Sequence, residues 1–151
     1  MKLQIINLRP PKIAQAFVLV AALLHGLTPM REMVIYSQPV AGAVLGILGF
    51  CIMMWGWGLF KKQDTAVCPT AINTHLLTSG IYRFTCNPMY LGVIIILLGI
   101  AIAVGSLPFY LVTVLYFIVI NHVFCPYEEQ KLVATFGDDY LAYKDRGRRW
   151  L

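Results

Sequence analysis

Four stretches of this chain, Ile13 to Met30, Val40 to Phe60, Met89 to Gly105 and Leu107 to Cys125, contain no Lys, Arg, Asp or Glu. Each approaches the ~20 apolar residues needed to cross a bilayer. A lipid-exposed segment must satisfy its backbone polar groups internally, so each stretch predicts a helix rather than a strand of an open sheet. With 151 residues, 59% of them hydrophobic and 13% charged, the chain lies outside the range of water-soluble domains. The expected fold is therefore all-α: a single integral membrane domain over residues 1–151 with about four transmembrane helices. The first stretch follows Lys2, Arg9, Pro10, Pro11 and Lys12, a basic start like that of a signal peptide. No small-residue cleavage pattern precedes Pro29, and the segment reads as a retained span.

Basic residues orient such a protein, because Lys and Arg in short loops are held on the cytoplasmic side. Four spans put the N-terminus, the segment from Lys61 to Pro88 and the C-terminus together. That side carries Lys2, Arg9, Lys12, Lys61, Lys62, Arg83, Lys131, Lys144, Arg146, Arg148 and Arg149, and the opposite side only Arg31. The expectation is a multi-pass protein of a bacterial inner membrane with both termini in the cytoplasm. The net charge of +5 then needs no nucleic-acid partner, since juxtamembrane cations are drawn to anionic lipid.

Cys51, Cys68, Cys86 and Cys125 include no C-x-x-C pair, and three of them fall near the reducing face, which argues against a disulfide framework. Cys68, His75 and Cys86, spaced by 7 and 11, match no zinc pattern, and no metal is expected. In the second stretch the spacing of Gly42 and Gly46 allows close helix approach, within the chain or in a homodimer. Trp55 and Trp57, followed by Lys61 and Lys62, read as an interfacial anchor. Only Gly105, Ser106 and Pro108 interrupt the apolar sequence between the third and fourth stretches, which predicts a tight hairpin.

Chemistry concentrates on the cytoplasmic side. From Gln63 to Tyr90 the breakers Pro69, Gly80 and Pro88 stand among polar and aromatic residues, in a segment longer than the ~2 to 8 residues of an ordinary connection. After Pro126 come Glu128 and Glu129, then Leu132, Phe136, Tyr140 and Tyr143 at helical spacing. This predicts a separate amphipathic helix along the membrane surface, opened by Pro126. The tail Arg146-Gly-Arg-Arg-Trp-Leu reads as a second interfacial anchor. Two carboxylates beside a loop rich in hydrogen-bonding groups suggest a pocket for a polar cofactor. Their alternative role is pairing with the helix dipole or with Arg83 or Lys131.

The run Leu77-Thr-Ser-Gly-Ile-Tyr-Arg-Phe-Thr-Cys-Asn-Pro-Met-Tyr-Leu-Gly92, an apolar hairpin, Glu128-Glu129, Phe136-Gly137, Tyr140 and Tyr143 together resemble the C-terminal signature of the isoprenylcysteine carboxyl methyltransferase family. Phospholipid N-methyltransferases share its core. The resemblance covers roughly residues 70 to 151 and implies S-adenosylmethionine bound between the cytoplasmic ends of the helices. It implies that Leu76, Leu77 and Thr78 line the cofactor, that Tyr82 contacts it, that Asn87, Pro88, Met89 and Tyr90 clamp it, and that Glu128 accepts its hydrogen bonds. These residue types suit such a ligand, because aromatic rings favour a sulfonium and a carboxylate accepts from ribose or amine.

The chain departs from the family pattern in two places. Cys86 stands where an arginine commonly precedes the Asn-Pro pair, and Phe124 stands where the prenylcysteine enzymes carry an arginine for a substrate carboxylate. The second departure points away from prenylcysteine and toward another membrane lipid or lipophilic acceptor. An amine acceptor requires a base, for which His122 and its neighbour Asn121, at the end of the fourth span, are the candidates. His122 bonded across helices, and His25 as a packing residue, are the structural alternatives. Two other functions compete: a membrane reductase with a nicotinamide cofactor, and a non-catalytic scaffold.

Overall fold

A computed structural model describes residues 10–27, 37–62 and 76–150. Cys68 and His75, and most of the long polar loop, lie outside the described residues.

Those residues form helices and no strand. Helix α1 runs Pro10–Leu27, α2 Pro39–Lys62, α3 Pro88–Val104 and α4 Leu107–Phe136, and α5 is the short Asp138–Arg146. A single 3₁₀ turn, Gly80–Arg83, leads into α3. Proline occupies the first or second position of all four long helices, where its fixed φ is already helical and its missing N–H has no partner to lose. Helices α1, α2 and α4 are long and apolar enough to cross a membrane, while α3 is equally apolar but has 17 residues. Leu19, Leu23, Val44, Ile47, Val114 and Leu115 are exposed on their outer faces, as lipid contact requires.

The α3–α4 hairpin is as tight as its sequence predicts. Gly105 ends α3 at φ 69°, a left-handed cap that a side chain would strain, and its N–H reaches the Ala101 carbonyl at 2.8 Å. Next to it His25 packs edge-on against Phe109 and bonds Ser106 through Nδ1 at 2.9 Å, which explains a histidine inside the first span as a packing residue.

The most extensive helix contact is between α2 and α3, and glycine makes it. A Cβ on Gly49 would lie 2.6 Å from the Gly92 carbonyl oxygen, and one on Gly92 equally close to that of Gly49. A Cβ on Gly99 would meet the Gly42 oxygen at 2.6 Å. The backbones touch, so the seam depends on having no side chains there. Gly42, Gly49 and Gly56 thus serve packing within the chain, whereas a Cβ on Gly46 would meet nothing within 4 Å.

The largest departure from expectation lies at Pro126. The amphipathic segment opened by Pro126 forms, as Cys125–Phe136, but it is continuous with the fourth span through a π turn at Ile120–Phe124, so that α4 runs on to Phe136. Proline can neither donate to the carbonyl four residues back nor tolerate it nearby, and the wide turn absorbs this conflict by binding the Cys125 N–H to the Ile120 carbonyl. Thirty residues of helix are about 45 Å long, against a hydrocarbon core of ~30 Å, so the turns beyond Cys125 project past the span. The chain turns at Gly137 instead, where φ is 53°.

Candidate active site

Along most of their length α2 and α3 are held together by glycines, but toward the end of α2 and the start of α3 large side chains replace them. Met53, Met54, Trp57 and Phe60 of α2 form one wall of a cavity of about 550 Å³. Pro10 and Pro11 of α1, the segment from Leu76 to Val93, the α4 residues Tyr116, Glu128, Glu129, Lys131 and Leu132, and Tyr140 and Tyr143 of α5 complete it. Its volume suits a small-molecule cofactor.

Eight of the nine cofactor residues expected from the resemblance line this cavity: Leu76, Leu77, Tyr82, Asn87, Pro88, Met89, Tyr90 and Glu128. Thr78 is exposed and does not line it. His122 and Asn121 do not line it either. His122 is exposed and lies 3.4 Å from the Asn121 amide. Asn121 instead receives the indole N–H of Trp150 at 3.0 Å and the Arg149 Nη1 at 3.5 Å on its Oδ1.

The two neighbouring glutamates do different work. The Tyr90 hydroxyl donates to Glu128 Oε1 at 2.5 Å, which holds that carboxylate against the clamp turn. Burial pushes the Glu128 carboxyl up to about 7, working against the Tyr90 hydrogen bond and the Lys131 charge. Burial also acts on Glu129, but hydrogen bonds from Arg149 and Lys144 hold that carboxyl below its ordinary range. Arg149 donates to it twice, Nε to Oε1 at 2.7 Å and Nη2 to Oε2 at 2.9 Å, and Lys144 Nζ donates to Oε2 at 2.8 Å.

Through these bonds the C-terminal tail folds back onto the site. The Arg149 carbonyl accepts from Thr85 Oγ1 at 3.2 Å and Asn87 Nδ2 at 3.1 Å, and the Cys86 N–H donates to the Arg148 carbonyl at 2.9 Å. Tyr143 donates its hydroxyl to the Tyr82 carbonyl at 2.7 Å, closing the α5 side. The Trp150 ring packs 5.2 Å from that of Phe117. The tail read as an interfacial anchor is therefore a strap that holds the Thr85-Cys86-Asn87 turn. Beside Cys86, where the family pattern has an arginine, the tail brings up Arg149. Burial pushes the Cys86 thiol up, so it stands there as a neutral group.

The π turn has a geometric effect on the site. Tyr116 and Glu128 are 12 residues apart, which on a regular helix at about 100° per residue places them roughly 120° apart. One extra residue accommodated in the wide turn takes most of that angle away, and both side chains line the cavity. The buried hydrophobic residues of α4 are Phe109, Val112 and Tyr116 before the turn, Ile120 and Phe124 within it, and Cys125 directly after it.

Residue pattern alone had hidden several of these parts. Trp57 reads as an anchor because it precedes two lysines, yet it lines the cavity and carries Lys61 Nζ 5.3 Å from its ring centre. Tyr116 gave no signal, being an aromatic within an apolar span. Tyr140 and Tyr143 were visible through their spacing of three.

An uncharacterized protein of Haemophilus influenzae is 38% identical over 63 residues, which are 42% of this chain and the whole of that protein. No solved structure matches. The family model of the phospholipid methyltransferases matches residues 37–139, a stretch that includes the glycine seam, the clamp turn and both glutamates. This chain belongs to the phospholipid methyltransferase family.

Proposed function

We propose that the protein transfers a methyl group from S-adenosylmethionine to a lipid or lipophilic small molecule, at the cytoplasmic face of a bacterial inner membrane. The observation that carries this reading is the cavity: residues from all five helices converge on it, with the Tyr90–Glu128 pair in its wall. The cofactor fits the donor set. Glu128 would accept from its ribose or amine, Asn87, Pro88 and Met89 would close over it, and the rings of Tyr82 and Tyr90 would face its cation. When bound, it supplies a methyl group already activated on a sulfonium.

What remains for the protein is alignment and the exclusion of water, the usual contribution to an in-line displacement that needs no covalent intermediate. The glycine seam fixes α3, the strap fixes the turn before it, and Met53, Met54 and Trp57 offer an apolar wall to an acceptor arriving from the lipid. Glu128, the carboxylate in the wall that Arg149 and Lys144 do not neutralise, suits a cationic cofactor and disfavours the phosphate-rich nicotinamide cofactor of the reductase reading. Because His122 and Asn121 are outside the wall, no proton transfer is assigned to them.

Calorimetric titration of the purified protein with S-adenosylmethionine and, separately, with NADPH tests the reading. Saturable binding of the first alone is expected, and binding of NADPH alone would overturn it. For orientation, reporter tags at both termini and within Gln63 to Ala71 are expected in the cytoplasm, and a tag at Arg31 outside it.

A further inference from the structure

Among the described residues, two buried hydroxyls have no hydrogen-bond partner, those of Tyr82 and Tyr116, and both residues line the cavity. Tyr82 is one of the residues that would contact the cofactor, which would then supply a partner for its hydroxyl. Tyr116 is different. Its relative exposure is 0%, and it sits in a packed cluster with Tyr90, Phe124 and Cys125, on the membrane side of the Tyr90–Glu128 pair. Leu97, Val93 and Ile94, which pack in the same cluster, have no polar group to offer.

An unpaired hydroxyl inside a membrane protein is costly, because neither lipid nor packed side chains replace the water it has lost. Phenylalanine would pack there without that cost, and the same helix uses it at Phe109, Phe117 and Phe124. The π turn also places Tyr116 on the face that carries Glu128. We infer that Tyr116 is a specificity-determining residue whose hydroxyl hydrogen-bonds the reacting polar atom of the methyl acceptor at the membrane end of the cavity. The inference rests on the methyltransferase reading. A phenol is a neutral partner, suited to a neutral amine or hydroxyl and poorly suited to a carboxylate that needs a cation.

The test uses the full-length purified protein and its Tyr116→Phe variant, which loses one oxygen and keeps its packing. Each is titrated with S-adenosylmethionine, and then, with S-adenosylhomocysteine present, with dodecanol and with dodecanoate as chain-matched probes. The wild type is expected to prefer the alcohol. The variant should bind dodecanol about 3- to 10-fold more weakly, as expected for one neutral hydrogen bond, with its S-adenosylmethionine affinity unchanged. Equal dodecanol affinity in the two proteins, with S-adenosylmethionine still bound, overturns the role of Tyr116 and leaves the methyltransferase reading intact. Failure of the wild type to bind S-adenosylmethionine overturns that reading and this inference with it.

Discussion

Helices α2 and α3 meet in two ways. Along the seam their backbones touch at Gly49 and Gly92 and at Gly42 and Gly99, with no room for a methyl group. Toward the end of α2 and the start of α3 the same pair parts around Met53, Trp57, Met89 and Tyr90 to form the cavity wall. The seam is specified by absence of side chains and tolerates nothing added. The cavity is specified by particular side chains and tolerates packing changes better than the loss of a functional group. Rigidity in one region is what allows the other to stay open, since a close-packed seam resists collapse of the adjoining space.

The two regions should respond to substitution in opposite ways. The largest effect is expected at the seam: Gly49→Leu places atoms 2.6 Å from a backbone oxygen and 2.9 Å from the Ile96 nitrogen, neither of which can move without separating the helices. A loss of roughly 3 kcal/mol or more follows, read as loss of the monodisperse peak in gel filtration. Gly49→Leu protein that elutes and melts like the wild type would mean that the seam is looser than its geometry.

In the cavity, Glu128→Ala should leave the fold intact and remove a charge-assisted hydrogen bond. That costs about 1.5 to 3 kcal/mol, or roughly 10- to 150-fold in S-adenosylmethionine affinity by calorimetry. The same carboxyl gives the binding a pH dependence. Its ionised form is the acceptor, and with its pKa raised to about 7 affinity should climb about 10-fold from pH 6 to pH 8. The rise should vanish in Glu128→Gln, and persistence there would assign it to another group.

The strap lies between the two regimes. Glu129→Gln and Arg149→Ala each break the bidentate pair, and since Arg149 is partly exposed each should weaken cofactor binding only several-fold. The double variant should be no worse than either single one, because both act through one link. Additive losses would separate the tail from the clamp. The smallest effect belongs to Gly46→Ala: a Cβ there meets nothing within 4 Å, and stability should stay within about 0.5 kcal/mol of the wild type.

Four uncharged apolar stretches sufficed to determine an all-helical membrane fold, because hydrocarbon leaves the backbone no other local solution. The family resemblance likewise named eight of the residues that line the cavity, between Leu76 and Tyr90 and at Glu128. The path of the chain after Cys125 was beyond the sequence. Pro126 looks like a helix start, and only the π turn, which depends on how Phe124 and Cys125 pack among neighbours, decides that α4 continues. That decision rotates Glu128 onto the face of Tyr116, and no periodicity count performed on a regular helix reproduces it. The strap was hidden for a related reason. Arg149 and Glu129 are 20 residues apart, and an exposed-looking basic tail carries no mark of the carboxylate it folds back to meet. Local chemistry suggested His122 and Asn121 as residues that could act, and tertiary contacts decided which side chains share the cavity: Tyr116, unmarked in the sequence, inside it, and His122 and Asn121 outside.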